Sequence, residues 1–364
     1  MSTHRFGAFA RLLPALRGWL GRGTDRTVDG AAAPQDLHAT VPAAVAPDQG
    51  AGCAPDAGLR AAQATASRAL WRHALGVRAD QPADPRALRE LRSGVERVLA
   101  GELAERYFPR RPLLMPRLMA AVRDPASAAT RLADIIAQDP VLAGDVLRLA
   151  NSAWYRVTRD PVETLQRAVI VCGTDGLQSL ASLALMQPVF RNAAAGSARL
   201  PQLLWERTTR ATLAAELYAQ RVCPLERHAA QLLVLLRALG PLVVYRIVEE
   251  QSRERPAGAG EALACATLLE ECGGQAAARV AIRWDSSERI CAVLAELDGQ
   301  GGMPLSDEVQ RDLAVAVEVG ELLGTTSVLL GERVWDSAAG LRIAAESAMP
   351  RDWMLATLTR LGRA

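Results

Sequence analysis

The side chains best suited to chemistry are few and scattered in this chain of 364 residues. Its four histidines, at positions 4, 38, 73 and 228, are too far apart in sequence to suggest a metal cluster. The six cysteines lack Cys-x-x-Cys spacing, which predicts reduced and packed thiols. No lysine occurs, and this excludes Schiff-base chemistry, a P-loop lysine and a Ser-x-x-Lys nucleophile. These features leave little room for a familiar enzyme.

One short helix is clearly delimited in the sequence. Asp139 suits the N-cap, and Pro140 suits the first helical position, where its missing N–H has no cost. Leu142, Val146 and Leu149 recur at helical spacing and therefore predict one buried face.

The end of that helix is polar and then aromatic. Asn151 and Ser152 can bind the carbonyl groups that a helix leaves exposed where it stops. We therefore predict that these two residues, like the N-cap, fix the chain at a corner and contact no ligand. Trp154 and Tyr155 are predicted to be wedges between helices.

The order Asp-Pro-x-Leu, Leu-x-x-Ala-Asn-Ser and an aromatic resembles the signature of the HDOD domain, a bacterial signalling module related to HD-type phosphohydrolases. Upstream, residues 114–118 are similar to the Leu-Pro-x-Leu-Pro start of that domain. Downstream, residues 165–173 are similar to a run that ends in Leu-Gly, with Cys172 in place of the leucine before Gly173. The resemblance covers roughly residues 108–300.

The resemblance implies that the metal site of the related enzymes has been lost. Their pattern Leu-Leu-His-Asp-x-Gly resembles residues 235–240, where Arg237 and Ala238 replace the histidine and the aspartate. Arginine stays protonated and alanine has no donor atom, so neither can ligate a metal. The stretch from Trp284, itself predicted to lie in the core, resembles one that ends in paired histidines, but here it reaches Glu296-Leu297-Asp298. Arg237 is expected to pair with a nearby acid; the alternative is that it faces an anionic ligand.

Helical periodicity without sustained strand-like alternation predicts an all-α fold, a multi-helix bundle with an additional N-terminal helical subdomain. The predicted organisation is a flexible tail and linker over 1–58, a helical segment over 59–107, an HDOD-like domain over 108–300 and C-terminal helices over 301–364. Pro188 and the Gly-Gly pair at 273–274 are expected to mark helix breaks or boundaries.

Charge and hydropathy limit the choice of partners and location. The net charge is only +2, and aromatic residues make up 4% of the chain, so no nucleic-acid partner is expected. No uninterrupted apolar run reaches about 18 residues, which favours a soluble, cytoplasmic protein. Residues 5–20 carry arginines and an apolar stripe; they are expected to form a loose tail, with weak membrane or partner contact as the alternative.

The leading functional hypothesis is a non-catalytic bacterial signal-transduction module that binds a signalling protein and needs no cofactor. Two alternatives stay open. One is a nucleotide-binding sensor in which Arg237 holds a phosphate, and the other is a residual metal-dependent phosphohydrolase that uses Asp and Glu ligands alone.

Overall fold

The computed structural model describes residues 57–78, 81, 84–101, 106–109, 111–121, 128–152, 155, 160–191, 199–253, 260–299, 305, 307–347 and 349–362. The flexible tail and linker predicted over 1–58 thus lie almost wholly outside the described residues. Trp154 also lies outside them. The described residues contain α-helices and no strand, which confirms the predicted all-α class.

The first five helices lead up to and include the signature helix. They are α1 (Ala57–Ala74), α2 (Pro85–Ala100), α3 (Met115–Ala121), α4 (Ala128–Ala137) and α5 (Pro140–Ala150). Four longer helices follow and supply most of the interior: α6 (Leu165–Arg191), α7 (Arg199–Val222), α8 (Arg227–Arg253) and α9 (Glu261–Arg283). The last four are α10 (Glu288–Leu297), α11 (Glu308–Gly331), α12 (Ser337–Glu346) and α13 (Arg351–Leu361).

Helix α11 lies in the core and packs along α7. Its backbone approaches α7 closely because Gly320 and Gly324 face Ala211, where any added side-chain carbon would collide with the α7 backbone. A second close approach joins α8 to α9, because Gly240 lies directly against the backbone of Gly273. These small residues thus bring α11 close to α7 and α8 close to α9.

The sequence also predicted one helix over 261–283, which α9 confirms, but Pro188 and the Gly-Gly pair at 273–274 do not mark the breaks or boundaries expected of them. Pro188 lies inside α6, three residues before that helix ends, and the Gly-Gly pair at 273–274 lies in the middle of α9. Glycine is a poor helix former, but here its lack of a side chain permits the contact with α8. The actual interruption is at Gly173, whose φ of 71° and ψ of 177° divide α6 into two helical pieces. A positive φ of this kind favours glycine.

Three helices, α6, α8 and α11, are long and apolar enough to cross a membrane by length and composition alone. The search for uninterrupted apolar runs in the sequence did not find these helices, because charged residues such as Arg237 and Glu321 divide their apolar stretches. In the folded chain, 83% of the most apolar window of α8 and all of that of α11 are buried. Their interior position accounts for the apolarity of α8 and α11, whereas only 50% of the corresponding window of α6 is buried.

Candidate functional site

The two positions that replace the expected metal ligands lie in the middle of α8. Ala238 is buried in the hydrophobic core. The side chain of Arg237 is only 15% exposed, and its Nε donates to Oε2 of Glu321 on α11 at 3.2 Å. A guanidinium therefore occupies the interior of the bundle, and a carboxylate from a neighbouring helix neutralises it.

Glu321 is the centre of a larger set of polar contacts. Its Oε1 lies 2.9 Å from Nη2 of Arg207 on α7, and its Oε2 accepts from Nε2 of Gln63 on α1 at 2.9 Å. The Nε of Arg207 donates to Oγ1 of Thr325 at 3.0 Å. Burial alone would raise the pKa of Glu321, but the charges of Arg237 and Arg207 outweigh burial and lower it, so the carboxylate is ionised.

A second glutamate, Glu318, lies one helical turn before Glu321 on α11. Its Oε1 accepts from Nε of Arg60 on α1 at 2.9 Å, and Nη2 of the same arginine lies 3.2 Å from Glu296. Burial raises the pKa of Glu318 to about 7 although Arg60 and Arg237 oppose the shift. We call the buried group formed by Arg207, Arg237, Glu318 and Glu321 the central ion cluster.

The stretch that resembles one ending in paired histidines reaches this cluster from α10. Glu296 pairs with Arg60, and Asp298 lies close enough to Arg237 for that charge to lower its carboxyl pKa, although burial raises the pKa overall. Two buried polar atoms of the cluster, Nη1 of Arg237 and Oε2 of Glu318, make no hydrogen bond. The sequence positions that the resemblance assigned to a metal site thus converge around a guanidinium.

A metal would need a different set of donors. Within the residues that the structure describes, no three His, Cys, Asp or Glu side chains are grouped so that they could hold an ion. His228, at the start of α8, has its Nε2 3.1 Å from Oδ1 of Asp175 on α6. Burial, aided by the charge of Arg227, lowers the pKa of His228 to about 4, so its imidazole is neutral near pH 7. This pair is separate from the central ion cluster in the chain and adds no carboxylate to it.

The start of the signature helix has the predicted geometry. Oδ1 of Asp139 accepts from the backbone N–H groups of Val141 and Leu142 at 2.9 and 3.1 Å, as an N-cap does. Pro140 is the first helical residue, and Leu142 is buried in the core.

The end of the signature helix is held by Asn151. Its Nδ2 donates to the carbonyls of Leu147 and Val162 at 2.9 and 2.8 Å, and its Oδ1 accepts from the N–H of Val162 at 2.7 Å. The amide thereby ties the helix end to the segment that leads into α6. Oγ of Ser152 is buried without a hydrogen bond, so the predicted binding of a carbonyl by Ser152 is wrong. The phenol of Tyr155 lies near Glu216, and burial raises its pKa.

Trp284 closes α9 and lies in the core at 5% exposure. Its indole Nε1 donates to the carbonyl of Pro109 at 2.9 Å, which fixes the segment before α3 against the end of α9. This contact and the Asn151 corner are structural, and neither touches the central ion cluster.

Sequence reasoning identified Arg237 but missed its partners. The spacing of Glu318 and Glu321 was a usable signal, because two acids one turn apart interrupt a run that is apolar from Leu313 to Leu330. No comparable signal marks Arg60, because it is one of three arginines in its helix and nothing in the sequence distinguishes it from the other two.

Comparison with known protein families gives a match to part of the chain. The chain matches the HDOD domain family over residues 108–298, which is more than half of its length. A search of curated proteins found no match.

Solved structures with partial similarity to this chain were also found. One, described as an HDOD domain protein with unknown function from Geobacter sulfurreducens, is 20% identical, with 74% of this chain and 92% of that chain covered and a TM-score of 0.48. A "Putative metal-dependent phosphohydrolase" from Shewanella amazonensis is 19% identical, with coverages of 74% and 98% and a TM-score of 0.46. A "Putative signal transduction protein" from Marinobacter aquaeolei is 16% identical, with coverages of 82% and 66% and a TM-score of 0.45.

Proposed function

Because this chain belongs to the HDOD domain family, we propose that it is a non-catalytic bacterial signalling module in the cytoplasm that works by binding a protein partner. The observation that carries the non-catalytic part is the pairing of Arg237 with Glu321 at 3.2 Å, at the position where the resemblance puts the metal-binding pair. A fixed internal cation in that place supports the proposal because it provides the positive charge that the enclosing carboxylates require.

The energetics of the central ion cluster favour keeping it intact. Arg207 and Glu321 are 4% and 3% exposed at their side chains, so each charge depends on its partner for stabilisation. A divalent ion at this place would lie beside two guanidinium groups, which repel it, and it would find no imidazole ligand among the described residues. The geometry therefore supports a structural use of these carboxylates.

Helix α1 closes the cluster from outside the region matched to the family. Arg60 and Gln63 reach Glu318 and Glu321 across the interface between α1 and α11. A substrate would have to displace this helix to reach the carboxylates. The N-terminal helical segment is thus proposed to stabilise the degenerate site as a closed structure.

Binding of a protein partner is inferred for the surface of the matched region. Val141 on α5 and Ile170 on α6 are large apolar side chains with 74% and 73% exposure. Single exposed apolar residues are common, but residues of this exposure next to a signature helix are the first to test as partner contacts.

The two alternatives have less support. A nucleotide phosphate at Arg237 would have to compete with Glu321 in a buried position, because the arginine side chain is only 15% exposed and already paired. A carboxylate-only phosphohydrolase would need convergent acids, and the described residues offer no such set.

The catalytic part of the proposal can be tested directly. The purified protein would be incubated with Mg²⁺ or Mn²⁺, dialysed, analysed for bound metal and assayed with bis(p-nitrophenyl) phosphate and cyclic dinucleotides. We expect no stoichiometric metal and no hydrolysis. One equivalent of retained divalent ion together with hydrolysis that stops on chelation would refute the proposal.

The partner-binding part needs a matched comparison. Tagged full-length chain and the Val141→Glu/Ile170→Glu double variant would be used for affinity capture from the native host, with Val334→Glu, at a residue outside the matched region, as the control. We expect one protein to be recovered with the wild-type chain and the control but lost with the double variant. Equal recovery with all three chains, or no specific protein with any of them, would contradict the proposed surface.

A further inference from the structure

A cavity of about 960 Å³ lies away from the central ion cluster, where the segment before α3 meets the ends of α6 and α9 and the last third of α8. Small-molecule sites in proteins typically have volumes of about 300 to 1,000 Å³. The segment is held in place by Trp284, whose indole donates to the Pro109 carbonyl, and by Arg111, which donates to the carbonyl of Trp284. Two walls of the cavity, the segment before α3 and the end of α9, are thus tied together by hydrogen bonds.

The charged residues that line the cavity are all positive. Its lining includes four arginines and, among the described residues, no aspartate or glutamate. Arg106 forms an ion pair with Glu250 at 3.0 Å outside the lining, so part of its charge is neutralised. Arg246 donates to the backbone carbonyl of Tyr107 at 3.4 Å, and burial lowers the pKa of its guanidinium. An anion near Arg246 would restore the stabilisation that burial removes.

The rest of the lining is apolar and aromatic. Phe108, Leu185 and Val189 contribute side chains, and the guanidinium of Arg283 lies 5.9 Å from the centre of the Phe108 ring. Leu113, at the rim, is 92% exposed. An inorganic anion alone would leave this apolar surface uncovered, whereas a molecule with a phosphate and an apolar or aromatic body would contact both parts.

We propose that this cavity binds a small organic phosphate, with its phosphate near Arg246 and Arg283 and its apolar or aromatic body against Phe108 and the aliphatic wall. Planar guanidinium groups suit the paired oxygens of a phosphate, and several of them together suit its double negative charge. The concave shape favours a small molecule over a protein surface. This site is independent of the proposed loss of catalysis, because it shares no residue with the central ion cluster.

Calorimetric titration of the full chain with AMP, adenosine and inorganic phosphate tests the proposal. We expect AMP to bind at least about tenfold more tightly than either adenosine or inorganic phosphate, because only AMP uses both parts of the cavity. Higher salt should weaken the binding of AMP, since the attraction is between charges. Absence of binding by both AMP and inorganic phosphate at millimolar concentration, or equal affinities for AMP and adenosine, would overturn the proposal.

Variants locate the site. Arg246→Gln and Arg283→Gln should each weaken AMP about tenfold or more, the usual effect of losing a hydrogen bond to a charged group. Arg167→Gln removes the same charge from an exposed position at the opposite end of α6 and should leave the affinity within about twofold. Arg283 is also exposed, so its variant keeps the test valid even if Arg246→Gln fails to fold. Equal weakening by Arg167→Gln and Arg283→Gln would mean that binding depends on overall charge, and the site would be rejected.

Discussion

Replacing Glu321 by glutamine tests whether the central ion cluster is an integrated unit. The substitution keeps the size of the side chain and removes one negative charge. Arg207 and Arg237 would then both lose their shared carboxylate, and Gln63 would lose an acceptor oxygen that carries a charge. The two guanidinium groups are 4% and 15% exposed, so water cannot replace that carboxylate without opening the bundle.

The expected loss is large. Removing one partner of a buried ion pair typically costs about 3 to 5 kcal/mol, because a charge is left buried without compensation. Here one carboxylate serves two arginines, so we expect the upper part of that range, about 4 to 5 kcal/mol. Arg237→Met should cost less, since Arg207 still pairs with Glu321 after the change. In the double variant Glu321→Gln/Arg237→Met, the cost should be smaller than the sum of the two single costs.

Urea unfolding followed by circular dichroism gives the free energy of unfolding for each variant. The matched control is Glu90→Gln, which removes the same charge from a glutamate that pairs with Arg86 on the surface of α2 with 42% side-chain exposure. An exposed pair of this kind contributes about 0 to 1 kcal/mol, so the control should change little. A loss below about 1 kcal/mol for Glu321→Gln, or strict additivity in the double variant, would refute the reasoning.

Three further predictions concern single positions. Burial raises the pKa of Glu216 from 4.5 to about 7, so its contribution to stability is fully present below pH 4.5 and is lost as the pH rises through about 7. The free energy of unfolding of the wild-type chain should therefore fall between pH 5 and pH 8, and Glu216→Gln should reduce that fall by up to about 3 kcal/mol. Urea titrations at the two pH values measure it, and the same fall in both chains would count against this prediction. Asp139→Ala should lose about 1 kcal/mol of stability and Asp139→Asn much less, because only the alanine removes the helix cap. Urea midpoints measure both losses, and equal losses would argue against capping. Gly240→Ala should lower the free energy of unfolding by about 3 kcal/mol or more, because the new carbon would meet the Gly273 backbone. Gly144→Ala, in open space, should be neutral or stabilising. Thermal melts that rank the two variants in the opposite order would reject the close contact.

The local features of this protein follow from short-range sequence patterns. The cap at Asp139 and the end of its helix depend on neighbours within a few residues, so the order of residue types was sufficient to predict them. The all-α class followed in the same way from helical periodicity. The Gly-Gly pair at 273–274 shows the limit of local reasoning, because a glycine pair that would weaken an isolated helix is accommodated here by its contact with α8.

The sequence by itself determined that Arg237 and Ala238 cannot bind a metal, because that follows from the chemistry of the two side chains. Only the tertiary structure decided which groups surround Arg237. Arg237 meets Glu321 from a position 84 residues away, and Arg60 reaches Glu318 across 258 residues, so no local pattern could pair them. Burial then determines the consequence, because water no longer screens these charges and each depends on the helices that bring its partner into contact.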